Sequence, residues 1–179
     1  MLIKRKQARA SRKLLSIELY NKFSDIICQK IKKIITDKKV IMLYNSIDNE
    51  VDVSQLVDNK KTILYPRIEE NNIVAVKPCG FYKGLYNINE PIGEVFSDKI
   101  DAVIVPICAF DKNCNRLGFG KGYYDRFLIN KDCLKIGVAF SCQETDGIIV
   151  KNTDVKMDVI VTENNIYGEL IWKIFLNLY

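Results

Sequence analysis

Short apolar runs recur along the chain and are separated by polar or helix-compatible stretches. Each run is three to five residues long, as expected of a strand with both faces buried. Strands that alternate with helical stretches predict a three-layer α/β fold, in which helices flank a mostly parallel sheet. The predicted strands are Val40–Tyr44, Thr62–Tyr65, Ala102–Pro106, Ile136–Phe140 and Val159–Val161.

Helical patterns lie at the beginning and the end of the chain. Residues 3–14, rich in Lys, Arg and Ala, predict a basic helix, and Ser16 is suited to cap a second helix. The second helix has a core-facing stripe made of Tyr20, Phe23, Ile27, Ile31 and Ile34. Residues 164–179 predict a packing helix, whose apolar stripe is Leu170, Ile171, Ile174, Phe175 and Leu178.

The middle of the chain is less regular. Ile73–Val76 predicts a further strand that could be antiparallel at an edge of the sheet. Pro78–Gly93 holds three glycines and two prolines, which predicts an irregular loop of the kind that often carries function. A length of 179 residues is that of one ordinary domain, so we expect residues 1–179 to form a single domain.

Composition limits the chemistry that the chain can perform. Lys and Arg number 27 against 22 Asp and Glu, a net charge of +5 that suits anionic small molecules but does not by itself indicate nucleic acid. The chain contains no histidine, which excludes a Ser-His-Asp triad, a Cys-His dyad and any His-ligated zinc site. Phosphate chemistry needs none of these, because it uses Lys, Arg, backbone amides and Mg²⁺.

The cysteines and the apolar runs bear on location. None of the six cysteines is in a C-x-x-C pair, and several lie in apolar runs, as buried free thiols do. The basic N-terminus lacks the apolar core of a signal peptide, and no apolar run is long enough to span a membrane. We therefore expect a cytoplasmic protein with reduced thiols, and a monomer.

The segment Arg116–Asp125 carries the clearest chemical signal. It belongs to the stretch Pro106–Leu128, which follows a buried strand and leads into the helix-compatible stretch Tyr123–Ile129, and it contains three alternating glycines. A glycine-rich turn before a helix presents convergent N–H groups to a phosphate, and here Lys121 adds a cation and Arg116 a fork of donors. The spacing matches neither a Walker A loop nor the dinucleotide motif G-x-G-x-x-G.

Asp125 lies in the first turn of the predicted helix. A carboxylate there is favoured by the helix dipole, and it could also bind Mg²⁺, which prefers one or two carboxylates together with phosphate oxygens and water. A second carboxylate should then arrive from elsewhere in the chain. The best candidates are Asp154 and Asp158, just before the strand Val159–Val161.

The run Asn115-Arg-Leu-Gly-Phe-Gly-Lys-Gly-Tyr-Tyr-Asp125, with Phe110-Asp111 before it, resembles the 5-formyltetrahydrofolate cyclo-ligase (methenyltetrahydrofolate synthetase) family. The order and spacing of the resemblance hold from the N-terminal basic helix to about Glu163. The supporting segments are Asn49-Glu50, Tyr65-Pro-Arg67, Asn87-Ile-Asn-Glu-Pro91, Asp154-Val-Lys-Met-Asp158 and Val161-Thr-Glu163.

This resemblance implies a fold related to the ribose-phosphate isomerase and CoA-transferase group, and it implies a reaction. ATP and Mg²⁺ would convert 5-formyltetrahydrofolate to 5,10-methenyltetrahydrofolate, with release of ADP and phosphate. The partners would be the small molecules ATP and 5-formyltetrahydrofolate, with no nucleic acid and no membrane. The formyl oxygen would attack the γ-phosphate, the folate N10 would close the ring, and phosphate would leave.

The resemblance also implies site residues. Lys121 and Arg116 would be catalytic, Lys121 on the phosphates, and Asp125 and Asp158 would hold Mg²⁺. The nucleotide loop would consist of Arg116, Leu117, Gly118, Phe119, Gly120, Lys121, Gly122, Tyr123 and Tyr124. The folate would contact Asn45, Glu50, Tyr86 and Tyr123. Glu50 would accept hydrogen bonds from the donor edge of the pterin, a role that suits a carboxylate because it only accepts.

Two positions depart from the family pattern. The family has an N-terminal Lys followed four residues later by an Arg, both of which reach ATP. Counted back from Leu15-Ser16, Arg5 takes the place of the Arg and Met1 that of the Lys, so that either the Lys is missing or Lys4 substitutes for it. Another register makes Arg5 and Arg9 the pair. Thr153 stands where the family often has His, which favours a mechanism based on positioning and charge.

Two other functions remain open from the sequence. A relative with this architecture could be a sugar-phosphate isomerase or an acyl-CoA transferase, which need a catalytic carboxylate and no nucleotide. The chain could also bind RNA through its basic helix, although its charge is spread along the chain and no RNP-type motif is present.

Overall fold

The computed structural model describes residues 1–84 and 87–168. Its helices are α1 (Leu2–Lys13), α2 (Ile17–Ile34) and α3 (Tyr123–Leu128). Its strands are β1 (Val40–Met42), β2 (Thr62–Glu69), β3 (Asn72–Lys83), β4 (Asn89–Val95), β5 (Ala102–Pro106), β6 (Ala109–Phe110), β7 (Arg116–Leu117), β8 (Leu134–Val138), β9 (Val159–Val161) and β10 (Ile166–Tyr167). A short 3₁₀ helix, Ser54–Leu56, forms within the helix-compatible stretch between β1 and β2.

Eight of the described strands form one sheet, in the order β10-β9-β8-β5-β1-β2-β3-β4. The five strands from β9 to β2 are parallel, whereas β10 at one edge and β3 and β4 at the other are antiparallel. This confirms the predicted α/β architecture and the five predicted parallel strands. Parallel strands point the same way, so their carboxyl ends lie along one edge of the sheet, where α/β proteins bind ligands.

Two apolar layers cover the sheet, one on each face. The stripe of α2, with Ile27 and Ile31, packs on one face against alternate strand residues such as Ile41 and Ile104. The other alternate residues pack with Leu128 of α3 on the opposite face. Ser16 accepts a hydrogen bond from Leu19 N at 3.3 Å and so caps α2 as predicted. The sheet is therefore the middle of three layers.

The predicted loop Pro78–Gly93 is wrong for most of its length, because β3 and β4 run through it as an antiparallel hairpin. Pro78 pairs with Gly93 at a bulge, beyond Val76, where the β2–β3 ladder ends. A proline that lacks an N–H is tolerated where a ladder is already interrupted. The prolines and glycines therefore mark an irregularity within a hairpin and not the absence of strands.

The segment after β9 begins with a short strand, β10, which pairs antiparallel with β9. Residues 164–179 were expected to form a packing helix, and the apolar stripe of that prediction lies outside the described residues. In the described part of the chain, no helix has both the length and the apolar character that crossing a membrane requires.

Candidate active site

A cavity of about 1410 Å³ opens at the carboxyl ends of the parallel strands. Its walls come from α1, the loop after β1, the β2–β3 hairpin, the tip of the β3–β4 hairpin, the segment from β7 to α3, and residues 149–154. Sites for one small molecule usually measure about 300–1,000 Å³. The cavity is therefore large enough for two ligands side by side.

The glycine loop, residues 118–122, forms one wall of this cavity. The β6–β7 hairpin delivers the loop, and α3 begins directly after it. Gly120 and Gly122 have φ angles of 95° and 70°, a region that side chains rarely adopt, so the bend requires glycine at both positions. Exposed Lys121 lies between them and lines the cavity, as the sequence predicts. The helix α3 has only six residues, so the loop amides and Lys121 are the main features that can bind an anion.

Arg116 is buried and makes an ion pair with Asp125 at the cavity wall. Its NH1 donates to Asp125 Oδ1 at 2.8 Å and to Val155 O at 3.0 Å. The Val155 N–H donates to the same Asp125 oxygen at 3.1 Å. In the described contacts the guanidinium thus fastens Asp125 to the segment that follows Asp154, and Arg116 fixes the shape of the loop.

The helix α1 brings two of its three predicted ATP-contacting side chains to the cavity. Arg5 Nε donates to Gly118 O at 2.6 Å, which ties the helix to the glycine loop. Arg9 also lines the cavity, and its guanidinium lies 5.4 Å from the ring centroid of Phe119. Lys4 does not line it, because its ammonium group donates to the Asp146 carbonyl oxygen. The structure corrects the substitution by Lys4 and brings together the alternative pair, Arg5 and Arg9.

Basic side chains of α1 form ion pairs with a turn at residues 47–50, which follows β1. Arg9 Nε and Arg12 NH2 contact Asp48 Oδ2 at 2.7 and 3.0 Å, and Lys13 Nζ contacts Oδ1 at 2.7 Å. Burial opposes ionisation of Asp48, but the hydrogen bonds from Lys13 and Arg9 and the charge of Arg12 lower the pKa of its carboxyl to about 2. The turn is therefore clamped by charge at any physiological pH.

Sequence reasoning missed both Asp48 and Arg12. The signal for Arg12 is its spacing, since Arg5, Arg9 and Arg12 follow each other at steps of four and three residues, which places them on one face of a helix. Asp48 carries no comparable signal, because only the folded chain brings it to that face.

Glu50 closes this turn and is buried at 4% exposure while lining the cavity. Its Oε2 accepts a hydrogen bond from Ile47 N at 3.1 Å, whereas Oε1 is buried and has no hydrogen-bond partner among the described residues. Burial raises the pKa of Glu50 to about 7. A buried carboxyl oxygen without a partner is costly, so this atom is suited to accept a hydrogen bond from a ligand.

Two of the remaining substrate candidates, Asn45 and Tyr123, line the same cavity as Glu50. Asn45 follows β1 and donates from Nδ2 to Asn89 O at 2.7 Å, which joins the loop to the tip of the β3–β4 hairpin. Tyr123 and Tyr124 line the cavity, and burial raises the pKa of Tyr124, so its phenol stays neutral. Tyr86 lies outside the described residues. Apolar side chains complete this wall, among them Ile68 and Ile73.

The structure separates the two acidic residues that were expected to share a metal ion. Asp158 precedes β9 and lies at the amino ends of β8 and β9, opposite the cavity. Its Oδ2 accepts a hydrogen bond from Lys135 N at 2.7 Å, and the ion pair to Lys135 Nζ measures 3.7 Å. A residue before a parallel strand lies at the other edge from residues that follow one. The pairing of Asp158 with Asp125 is therefore corrected.

Asp154, the other candidate from the sequence, does line the same cavity as Asp125, and the next residue, Val155, donates to the Asp125 carboxylate. In the described residues both contacts of the Asp125 carboxylate fall on Oδ1, so Oδ2 remains as a possible ligand. Within residues 1–84 and 87–168, no group of three or more His, Cys, Asp or Glu side chains could hold a metal by itself. Two carboxylates fit Mg²⁺ that completes its shell with phosphate oxygens and water.

Comparison with known proteins places the chain in a family. Residues 3–163 match the model of the 5-formyltetrahydrofolate cyclo-ligase family. The 5-formyltetrahydrofolate cyclo-ligase of Mycoplasma pneumoniae is 32% identical over 89% of this chain and 96% of its own length. The solved structure of Aquifex aeolicus 5,10-methenyltetrahydrofolate synthetase is 34% identical, with a TM-score of 0.83 over 93% of this chain and 91% of that one. A structure of the synthetase from Mycoplasma pneumoniae has a TM-score of 0.74 at 30% identity, over 90% of this chain and 98% of that one. The chain therefore belongs to the 5-formyltetrahydrofolate cyclo-ligase family of enzymes.

Proposed function

We propose that this protein converts 5-formyltetrahydrofolate to 5,10-methenyltetrahydrofolate, with ATP as co-substrate, Mg²⁺ as cofactor, and ADP and phosphate as the other products. The observation that carries the proposal is one cavity lined both by a basic glycine loop and by Glu50, whose buried Oε1 has no hydrogen-bond partner in the part of the chain that the structure describes. The first feature suits a triphosphate and the second suits a ligand edge rich in N–H donors. Membership of the family supports the same reaction.

The nucleotide would lie along the glycine loop. Its phosphates would meet the loop amides, the ammonium group of Lys121 and the cationic side chains of Arg5 and Arg9, which line the same part of the cavity. Arg116 would act by holding Asp125 in place, since its guanidinium is already bonded to that carboxylate. The exposed ring of Phe119 beside Arg9 is available for contact with the nucleotide.

Mg²⁺ would be held by Asp125 and Asp154 together with the phosphates. When bound, the ion would offset the negative charge that the phosphates carry into the cavity. Because the described residues provide no group of three ligating side chains, the ion would depend on the nucleotide for the rest of its shell.

The pterin would lie against Glu50, Asn45, Tyr123 and Tyr124. Glu50 Oε1 would accept hydrogen bonds from the pterin N–H groups, which would remove the cost of leaving this buried oxygen unsatisfied. The apolar side chains Ile68 and Ile73 would pack on the ring.

The chemistry would then be largely a matter of placement. The formyl oxygen attacks the γ-phosphorus, and the bond from that phosphorus to the ADP oxygen breaks. N10 attacks the formyl carbon and releases its proton to solvent, and the formyl oxygen leaves with the phosphoryl group as phosphate. Charge on the transferred group would be stabilised by Lys121 and the loop amides, which are fixed before the substrates bind.

The test is an absorbance assay for methenyltetrahydrofolate with purified protein, 5-formyltetrahydrofolate, ATP and Mg²⁺. We expect absorbance to rise with one ADP formed per product, and not to rise when ATP is omitted or when EDTA removes the metal. Product formation that continues without ATP, or no product in the complete mixture, would contradict the proposal.

A further inference from the structure

Arg12 is an unusual side chain for the core of this protein. It is fully buried, with 0% exposure, and it does not line the cavity. Its Nε donates to the Asp48 carbonyl oxygen at 2.8 Å and its NH2 to Asp48 Oδ2 at 3.0 Å. Its NH1 is buried without a hydrogen-bond partner among the described residues. Replacing a buried ion pair by well-packed apolar residues is often neutral or stabilising, so burial alone does not account for an arginine at this position.

The turn that Arg12 holds is one that needs support. Asp48 and Asn49 have φ angles of 49° and 57°, in the left-handed region that residues other than glycine adopt at a cost. Glu50 N donates to Ile47 O at 2.8 Å and closes the turn. Arg12 contacts both the backbone and the carboxylate of Asp48, so it fixes the position and the orientation of this residue together.

Glu50 is positioned by the same turn. Its Oε2 is bonded to Ile47 N, and its backbone oxygen accepts from Tyr20 Oη at 2.9 Å. These contacts fix the carboxyl group so that Oε1 is the oxygen left for a ligand. If the turn relaxed, Glu50 could rotate to find another partner and the cavity would lose its acceptor.

We infer that Arg12 is a positioning residue for the folate: through Asp48 it holds the turn that presents Glu50 Oε1 to the substrate. The inference rests on the proposed function, in which Glu50 binds the pterin. It predicts that a side chain outside the cavity controls affinity for the folate and leaves affinity for ATP nearly unchanged.

The test is a double-mutant cycle with Arg12→Met and Glu50→Gln, read by the Kd for 5-formyltetrahydrofolate and separately for ATP. We expect Arg12→Met to raise the folate Kd by about tenfold or more, as loss of a well-placed hydrogen bond to a charged group does. In the Glu50→Gln background the same change should raise it by less than about threefold, because the acceptor that Arg12 positions is already altered. The ATP Kd should change by less than about threefold in each variant.

Lys13→Met is the matched control, because Lys13 also pairs with Asp48 but is exposed and touches only its carboxylate. An exposed ion pair is weak, so the folate Kd should stay within about threefold of that of the wild type. Equal effects of Arg12→Met in both backgrounds, or equal losses of folate and ATP affinity with a lower melting temperature, would show a merely structural role. Should Arg12→Met not fold, Arg12→Lys, which keeps the charge but not both contacts, replaces it in the cycle.

A readout without substrate separates this inference from the proposed function. Hydrogen exchange at the Ile47 amide reports the bond to Glu50 Oε2 directly. It should be faster in Arg12→Met and unchanged in Lys13→Met. If the wild-type protein binds no 5-formyltetrahydrofolate, the proposed function has failed, and the control of Glu50 by Arg12 is judged on this amide. Unchanged protection of Ile47 in Arg12→Met overturns the inference in either case.

Discussion

The glycine loop and the turn at residues 47–50 face the same cavity, but the chain builds them differently. The loop is one continuous segment, bent by its own glycines and supported by the ion pair from Arg116 to Asp125 nine residues later, with a further hydrogen bond from Arg5 of α1 to Gly118 O. The turn is shaped from outside, by Arg9, Arg12 and Lys13 of a helix more than thirty residues earlier in the chain. The glycine loop can be recognised from the sequence because the residues that bend it are adjacent in the chain. The turn at residues 47–50 depends on side chains that are distant in the chain, so it can be recognised only in the folded structure.

The two walls should also fail differently when they are altered. The loop presents charge to the phosphates, so a change there should reduce the rate of reaction. The turn presents a single acceptor to the folate, so a change there should alter the affinity for folate and the free energy of unfolding. The predictions below separate these outcomes.

The largest effect is expected from Lys121→Ala. Lys121 is exposed and lines the cavity between the two glycines that shape the loop. A donor that stabilises charge in the transition state is typically worth about 3–4 kcal/mol, so turnover should fall by about two to three powers of ten. Steady-state kinetics checks this, and the melting temperature should stay within a few degrees because the side chain is exposed. A fall in turnover of less than about tenfold would show that Lys121 does not stabilise charge in the transition state.

A smaller effect, on stability and pH, is expected from Glu50→Gln. Burial raises the pKa of Glu50 from 4.5 to about 7 in the folded protein. The folded state therefore holds this proton between these values while the unfolded state releases it, and stability falls as the pH rises through that window. Glutamine does not titrate, so the stability of the variant relative to the wild type should increase by about 2–3 kcal/mol from pH 5 to pH 8.

Urea unfolding of both proteins at the two pH values measures this difference. The variant should be relatively more stable at the higher pH and yet bind folate more weakly, as expected where a site holds a destabilising group for function. A stability difference that does not change with pH would mean that Glu50 is not buried as an ionisable group. Asp48→Asn tests the ion pairs that hold the turn at residues 47–50. Because the pKa of Asp48 is lowered, its carboxylate stays charged and these ion pairs are present throughout the range from pH 5 to pH 8.

How much of the fold and of the candidate site can be predicted from the sequence depends on the same distinction between local and long-range contacts. The five parallel strands and α2 with its cap at Ser16 follow from periodicity or local motif, and the structure agrees with them, whereas the role of Lys121 at the phosphates stays a prediction. The β3–β4 hairpin was missed because Pro78 and Gly93 indicate a loop locally, while strand pairing stabilises them in the fold. Asp158 directly precedes a predicted parallel strand and therefore lies at the amino edge of the sheet, so strand direction, which the metal prediction did not include, excludes it from the cavity.

The smallest effect is expected from the carboxylates. Asp125→Asn keeps the shape of the side chain but weakens both the ion pair to Arg116 and a possible metal ligand. The Mg²⁺ concentration for half-maximal activity should rise by about three- to tenfold, because the phosphates and Asp154 would still hold the ion. Asp154→Asn should act in the same direction, since Asp154 lines the same cavity as Asp125.

Asp158→Asn is the matched control for this metal prediction. Asp158 lies at the opposite edge of the sheet, where its carboxylate accepts from Lys135 N, a bond that the asparagine oxygen can still accept. Its Mg²⁺ dependence should therefore equal that of the wild type. If instead Asp158→Asn raised the Mg²⁺ requirement while Asp154→Asn did not, the metal would depend on the far edge of the sheet, and the assignment to the cavity would be wrong. Titration of Mg²⁺ at saturating ATP and folate decides between these outcomes with three single substitutions of identical chemistry.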